Sequence, residues 1–591
     1  MPLRGQLIPF DLSSPPPFEA ISYCWGTSTS KTKNPTAGTL TQSIIIDNRD
    51  FKASENVHSF LNFRRSWMED VYVWIDAVCI NQHDVKEKNS QVKRMKDIYS
   101  RSSRVLIWLR NAGSLSSARS LMMMLIHQRR SGMDEEAIKW DCMRRDPDFS
   151  WHDLAVLFTN VWFSRTWIIQ EVACAPKAYI ATDTALMEWD HLAEAVEILM
   201  SPHLARFMDI ATVLGVNTEE TFAGIARIFQ ISSLRHRRQR NDSISVAELL
   251  RFGLEFDATD RRDKVFALLG LTTQDLPKDL DPDYEKTEQQ VYTEAMHFVL
   301  GRSYSDLHLL TSIGSESRDR VENIPSWVPD FSSGLRAHYG MASSLLYRAG
   351  MKCNAQIEPV PESGSNYIQI AGCRADEITH LGGSSLQLSL QGLKPGGDQQ
   401  AVLASFTNNV RMWLLDALSI TKTAGLNPYF DGSPIRDVFW RTLLGDTDGT
   451  QRPLPADYGL LWKAMEEVCG LEEGNESSCA PVFSRHPPML GGRSLTPEVV
   501  DELEDRICMF MHYFGATFMG GRFAVTSSGR LARVPPSTLE GDHICVFWGC
   551  PSPFVLRPRD ENSWSLVGSC YVHGFMDGEA CRADGVWFIL A

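Results

Sequence analysis

Residues 71–82 read VYVWIDAVCINQ. Val71 to Ile75 make a β-branched and aromatic run of strand length, and the polar residues Asp76, Asn81 and Gln82 follow where that run ends. A second run of the same texture, Val105-Leu106-Ile107-Trp108-Leu109, is apolar enough to be buried on both faces, as strands of a parallel sheet are. Between the two the spacing predicts a helix. Asp84 with Glu87 three residues on reads as a capping box, and Val92, Met95 and Tyr99 recur at helical intervals. A helix carrying Val57, Phe60, Leu61 and Trp67 comes before the first of these strands, and Ile44-Ile45-Ile46 forms another short strand. Strand alternating with helix is the grammar of an α/β protein with a doubly wound sheet, expected over residues 1–185.

Outward from this core the texture changes. Residues 186–340 read as a helical region, with a basic run from Arg235 to Arg240 that reads first as a solvated face and second as a docking patch. In the stretch Asp260 to Gly270 the aspartate is placed to cap a short helix and the glycine to end it. Residues 341–515 are a mixed helical and loop region. Gly- and Ser-rich stretches at 362–366 and 382–400 and a polar stretch at 472–478 separate helices such as one around Val410–Leu418. Residues 516–591 form a small β-rich C-terminal module, with strands at 523–526, 544–548 and 564–568.

A chain of 591 residues holds three or four units of ordinary domain size, roughly 100–200 residues each. Hydrophobic residues at 43% and charged residues at 22% are values of a folded globular chain. The 58 Lys and Arg against 73 Asp and Glu leave a net charge of −15, which argues against nucleic acid and against a polybasic membrane anchor. No run approaches the ~20 apolar residues of a membrane span, and the N-terminus has no apolar signal core. The 13 cysteines are odd in number, scattered and never spaced C-x-x-C, the pattern of a reduced cytoplasmic chain without structural zinc.

Three clusters of the first region carry candidate chemistry. They are Phe18-Glu19-Ala20-Ile21-Ser22-Tyr23-Cys24-Trp25-Gly26, Trp74-Ile75-Asp76-Ala77-Val78-Cys79-Ile80-Asn81-Gln82, and Trp162-Phe163-Ser164-Arg165-Thr166-Trp167-Ile168-Ile169-Gln170-Glu171. The first two put polar groups at the carboxyl ends of strands, where ligands bind in open α/β sheets. The third reads as a helix start with Ser164 as its cap. Trp167 and Glu171 are four residues apart and share a face, with Gln170 adjacent.

These clusters resemble the three signature blocks of the fungal heterokaryon-incompatibility (HET) domain, Y-x-A-L-S-Y-x-W-G, W-I-D-A-x-C-I-N-Q and R-x-W-x-x-Q-E. Phe18 stands for the usual Tyr and Ile21 for the usual Leu, while the second and third blocks are intact. Asp260–Leu271, Pro325–Asp330 and Tyr571–Glu579 also resemble stretches that commonly follow this domain. The resemblance implies a role in fungal non-self recognition, a form of innate immunity that ends in programmed cell death. It also implies a flavodoxin-like parallel sheet similar to the Toll/interleukin-receptor (TIR) fold, some members of which act as NAD hydrolases using one helix-borne glutamate after a Trp. Glu171 matches that position and is the candidate catalytic carboxylate. The implied ligand-binding set is Tyr23, Trp25, Gly26, Asp76, Asn81, Gln82, Arg165, Trp167 and Gln170, with no metal and no resident cofactor, NAD or a related nucleotide being the substrate. Nicotinamide leaves NAD as a neutral molecule, so what needs stabilising is an oxocarbenium-like ribose, and one carboxylate can do that electrostatically.

Plainer readings stand beside these. Asp76 binds a ligand or caps a turn; Asn81 and Gln82 tie down a loop; Trp25 and Trp167 pack; Cys79 is a small core hydrophobe; and Arg165 with Glu171 is a structural ion pair. At the level of function, a non-enzymatic module that docks a protein partner or associates with itself is the first alternative. A pathway enzyme or accessory factor reusing the scaffold is the second.

Overall fold

The computed structural model describes residues 3–25, 40–65, 69–134, 137–138, 149–200, 216–301, 304–314, 320–333, 346–359, 366–383, 399–426, 429–447, 451–456, 458–459, 462–463, 466 and 521–591. The chain divides into two compact units, Met1–Glu288 and Gln289–Ala591. The expectations for Gly26, Trp67 and the polar stretch at 472–478 lie outside the described residues, as do most of the Gly- and Ser-rich stretches at 362–366 and 382–400.

Strands of the first unit are β1 (Arg4–Gly5), β2 (Glu19–Ser22), β3 (Gln42–Ile46), β4 (Arg49–Ala53), β5 (Val73–Trp74), β6 (Arg104–Trp108), β7 (Ala178–Ala181) and β8 (Leu186–Glu188). The main sheet has the order β5-β2-β6-β7-β8. Its first four strands run parallel, and β8 joins antiparallel through a hairpin with β7. Counted along the chain, that order is 2-1-3-4-5. As the texture predicts, β6 is buried, with Val105, Leu106, Ile107 and Trp108 all closed to solvent. The run around 71–75 forms only a two-residue strand, because Ile75 already stands at the N-cap of a short helix, α2. Ile44 to Ile46 lie in a separate small sheet of β1, β3 and β4.

Four helices surround the strand ends that matter below: α1 (Glu55–Arg64), α2 (Asp76–Cys79), α3 (Val85–Arg101) and, further along the chain, the helix Trp167–Ala173. Asp84 caps α3 by accepting from the amides of Lys86 and Glu87 at 3.0 and 3.1 Å. Glu87 reaches back to the Asn81 amide at 2.9 Å, so the capping box closes one turn further out than the sequence pattern implies. The helix of the third block starts at Trp167 with no side-chain cap. Ser164 instead donates to the Val161 carbonyl at 3.0 Å, and its own carbonyl takes the Asp257 amide at 2.5 Å. Thr166 donates its amide to the Asp257 carbonyl at 2.8 Å. A strand-like stitch to a residue some ninety positions downstream therefore sets where this helix begins.

The middle of the chain is helical as expected, with Trp189–Leu199, Thr218–Gln239, Val246–Gly253 and Asp263–Leu269. The basic run does not form a solvated face at its start. Arg235 is 2% exposed and donates to the carbonyls of Val172, Ala175 and Pro176, covering the orphan acceptors at the end of helix Trp167–Ala173. Lys264, equally buried, does the same for Gly253 and Phe256. Gly270 is the C-cap of helix Asp263–Leu269, as the sequence predicts, in right-handed backbone at φ −64. A Cβ there would lie 2.0 Å from Gln170 Nε2, so that buried side chain would have to shift.

In the second unit the strands are β9 (Ile357–Pro359), β10 (Ile368–Leu381), β11 (Arg522–Thr526), β12 (Leu531–Val534), β13 (His543–Phe547), β14 (Phe554–Pro558), β15 (Ser563–Ser569), β16 (Tyr571–Val572) and β17 (Val586–Leu590). They pair in the order β13-β14-β15-β17-β10-β11-β12-β16, and β10 also pairs with β13. That last ladder closes β10, β13, β14, β15 and β17 into a ring, which removes their edges. The helices Gln399–Thr423 and Ile435–Leu444 pack Leu414, Phe439, Trp440 and Leu443 against Phe523, Val525 and Leu531. Among the described residues no helix is long and apolar enough to cross a membrane.

Gly224 offers a test of close packing. Its Cβ position lies 2.0 Å from the Phe158 carbonyl oxygen, where helix Thr218–Gln239 passes helix Phe149–Phe158. In an isolated helix Gly→Ala gains about 1 kcal/mol. Here Gly224→Ala is expected to lower the denaturation midpoint, because backbone must move apart; an unchanged or raised midpoint would show that the helices have room.

Candidate functional site

Period-two alternation along β2 decides what meets at its carboxyl end. Ile21 and Tyr23 join the apolar cluster that contains Val57, Phe60, Ile75 and Leu106. Ser22, 1% exposed, hydrogen bonds instead with Trp162 and Glu171. Trp162 Nε1 donates to Ser22 Oγ at 2.8 Å. An indole can only donate, so the Ser22 hydroxyl proton is left to go to Glu171 Oε2, with which it hydrogen bonds. The start of the same strand is fixed by Glu19, buried and hydrogen-bonded to Arg64 and to Arg104. Burial works to raise the Glu19 carboxyl, but those two guanidinium groups hold it below the usual range.

Arg165 bridges the cluster. One guanidinium nitrogen donates to the Tyr23 carbonyl and the other lies 4.0 Å from Glu171 Oε1. Asp76, first residue of α2, accepts from the Trp25 indole at 2.8 Å and from the Ala77 amide at 2.7 Å. Gln82 Nε2 ties its backbone carbonyl at 3.2 Å. The Tyr23 hydroxyl is buried beside Asp76 without a well-aligned partner among the described residues. Tyr99 supports the strand from behind, its hydroxyl donating to the Ile21 carbonyl at 3.1 Å.

Two carboxylates and one guanidinium thus share a largely dry corner. Burial pushes Glu171 up to about 7; Arg165 and the Ser22 hydroxyl pull it back, and nearby Asp76 adds to the rise. Asp76 is also raised, by burial first, with Arg165 and the Trp25 indole working against it. Burial raises Cys24 and Cys79 to about 11, which makes them thiols at neutral pH. The side chain of Glu171 is 3% exposed and that of Arg165 21%, while Trp25 is 40% exposed. Solvent therefore meets the cluster on its Trp25 and Arg165 side.

Of the residues singled out from the sequence, Glu171, Arg165, Tyr23, Asp76, Trp25 and Gln82 come together here. Asn81 is exposed and shapes the turn into α3, accepting the His83 amide at 3.2 Å. Gln170 is buried against Gly270. Trp167 hydrogen bonds with Asp263, whose carboxyl is pushed up to about 6 by burial and then by Asp260. Gly26 lies outside the described residues. Ser22, Trp162 and Tyr99 complete the cluster and were not among the candidates. A serine inside an otherwise apolar strand is the available signal, since a buried hydroxyl needs a partner.

The raised carboxyl makes stability fall with pH. Below about 4.5 Glu171 is protonated folded and unfolded; between there and about 7 only the unfolded chain releases its proton, so stability drops and then levels off. Glu171→Gln removes that slope. The variant's stability advantage over the parent should grow between pH 4.5 and 7 by on the order of 3 kcal/mol at most, read by denaturant titration at both pH values. A difference independent of pH would mean the carboxylate is well solvated or fully paired.

Residues 18–171 match the family model described as heterokaryon incompatibility protein (HET), and residues 500–586 match the Het-6 beta-barrel domain. A curated Neurospora crassa protein, heterokaryon incompatibility protein 6, OR allele, is 24% identical over 644 aligned positions, covering 96% of this chain and 90% of its own. No solved structure matches. The matched HET segment runs from the residue before β2 to Glu171 itself, so its limits enclose the strand end, α2 and the acid that closes the cluster. Two separate segments of the chain thus match a HET domain and a Het-6 β-barrel domain, and nearly its whole length is similar to a fungal heterokaryon-incompatibility protein.

Proposed function

We propose that the chain is an incompatibility and cell-death effector whose HET domain hydrolyses NAD, with Glu171 as the catalytic carboxylate. The observation that carries the reading is Glu171 beside Arg165 and Asp76 at the carboxyl end of a parallel strand. The name of the Neurospora crassa relative supports the incompatibility role. The strand order 2-1-3-4-5 supports a flavodoxin-like, TIR-like sheet, in which ligands sit beyond the strand ends where the order reverses. Its antiparallel β8 is a departure from an all-parallel sheet.

In the proposed reaction the nicotinamide–ribose C–N bond breaks and its electron pair leaves with nicotinamide. The ionised Glu171 faces the positive charge that grows on the ribose, water adds to that carbon, and the proton it loses passes to Glu171. A carboxyl poised near 7 suits both halves. Arg165 is placed for a pyrophosphate, and the exposed Trp25 for stacking on a base.

A second reading has its own support. Glu171 is nearly closed to solvent and hydrogen-bonded within the protein, as a structural acid would be. The HET domain would then act by docking a partner or another copy of itself. The two readings part on one assay. Concentrated protein incubated with NAD should release nicotinamide, and Glu171→Gln should cut the rate by about 100-fold or more, the usual loss for a main electrostatic group. Release at the buffer level, or growth arrest in cells that survives Glu171→Gln, selects docking.

A further inference from the structure

Three cysteines of the second unit gather at one corner of the barrel, away from any role described above. Cys373 Sγ donates to the Arg582 carbonyl at 3.1 Å and accepts the Arg582 amide at 3.2 Å. Cys353 Sγ reaches the same carbonyl at 3.7 Å. Cys581 Sγ lies 3.7 Å from the Gly350 carbonyl, which also takes the Cys353 amide at 3.4 Å. Burial first, and then the neighbouring Cys353 sulfur, push the Cys581 thiol up to about 11. All are free thiols; Cys373 is buried, whereas Cys353 and Cys581 are half-buried. Among the described residues no group of three or more His, Cys, Asp or Glu is arranged to hold a metal ion.

The turn bearing Cys353 is held firmly. Gly350 donates its amide to the Cys550 carbonyl at 2.8 Å and accepts that of Gly549 at 2.9 Å. A Cβ on Gly350 would lie 2.0 Å from the Phe547 carbonyl, so only glycine lets the turn sit this close to the strand. Cys353 lines an open cavity of about 530 Å³ together with His308, Met351, Asn354 and Gln356. The turn that carries this half-buried cysteine is therefore held in place and borders space open to a small solute. Cys373 is the poorer partner. Its sulfur is engaged twice by Arg582, and its backbone is locked in the β10–β13 ladder opposite Val546. Cys581 lies in the connection before β17 and has no such restraint on its strand register.

We propose that Cys353 and Cys581 are an oxidisable thiol pair that closes to a disulfide when a peroxide enters the cavity beside Cys353. The Cys353 sulfur attacks one peroxide oxygen: an S–O bond forms, the O–O bond breaks, and the departing hydroxide takes up the Cys353 proton as the first water. The Cys581 sulfur then attacks the Cys353 sulfur, forming the S–S bond as the oxygen departs as water with the Cys581 proton. Two thiols and one hydrogen peroxide give one disulfide and two waters. The product ties the turn at 350–353 to the segment at 578–582 and so fastens the closing stretch before β17. This chemistry is independent of the HET-domain reading.

The test uses the reduced full-length chain. It is treated with limiting hydrogen peroxide, its remaining thiols are alkylated, and it is digested without reductant for mass spectrometry. The dominant cross-linked species should join the Cys353 and Cys581 peptides, two hydrogens lighter than their sum, and disappear with dithiothreitol. Cys353→Ser and Cys581→Ser should each abolish it, while Cys174→Ser should not. Both cysteines recovered fully alkylated, Cys353 joined to Cys373, or Cys353 converted to sulfinic acid with Cys581 untouched would each overturn the pairing. The parent chain alone decides between these results, so a serine variant that fails to fold does not blunt the test.

Discussion

Burying the Glu171 carboxylate is the constraint around which the first unit is arranged. A charge taken from water into a protein costs several kcal/mol unless partners replace its hydration. Glu171 receives the Ser22 hydroxyl, which Trp162 orients, and a guanidinium at 4.0 Å that is shared with the Tyr23 carbonyl. That is partial repayment, and a carboxyl lifted to about 7 is its measure. The partners come from two stretches far apart in sequence, so the acid is tolerable only once β2 and the third block have met, and Asp76 of α2 works against it. Stitching Ser164 and Thr166 to Asp257 and covering the end of helix Trp167–Ala173 with Arg235 hold the third block where the acid needs it.

Much of this unit was legible because its signals are local. The apolar run at 105–109 has one physical use, a strand buried on both faces, and the spacing of Val92, Met95 and Tyr99 has one as well. Asp84 before Lys86 and Glu87 caps where a short acceptor must. Signals that depend on distant partners were not legible. Nothing near Ser164 reveals Asp257, so it was read as a cap. Gly270 ends its helix where the pattern places it, but nothing near it reveals Gln170 packed against it. Arg235 looks like its neighbours Arg237 and Arg238 until the carbonyls of Val172 and Ala175 are in place. In the site, the residue types at the strand ends could be read, but not the Trp162–Ser22–Glu171 chain, because a hydroxyl's partner is a matter of tertiary position.

The second unit shows the same limit on a larger scale. Short strands near the C-terminus announce themselves by turns and β-branched runs. The strand that organises them, Ile368–Leu381, does not. It contains Gly372, Arg374, Asp376 and Glu377, residues that weaken any strand pattern, and two of them, Gly372 and Asp376, have a tertiary reason. Gly372 admits the Val546 carbonyl at 2.5 Å from its absent Cβ. The register shifts between Arg374 and Asp376, and Asp376 then accepts from Ser527 and Ser528. By exchanging β17, β13 and β11 as partners along its length, this one strand both closes the ring and extends it.

Exposure within the HET cluster bears on how it would meet a ligand. Trp25 is exposed and the Arg165 side chain partly so, while Glu171 is nearly sealed; under the proposed reading a ligand would meet the indole and the guanidinium first. Reaching the acid requires exchanging the Ser22 bond. A hydrogen bond to a charged group is worth about 1.5–3 kcal/mol net, and a positive centre at contact distance in a dry pocket offsets more than that. A neutral or anionic group does not. Under the proposed reading the geometry would discriminate by charge at the point of contact: anionic parts of a ligand would be drawn to Arg165, and only a cationic part would have reason to displace Ser22. The same arrangement keeps Glu171 satisfied, and the fold intact, when no such molecule is present.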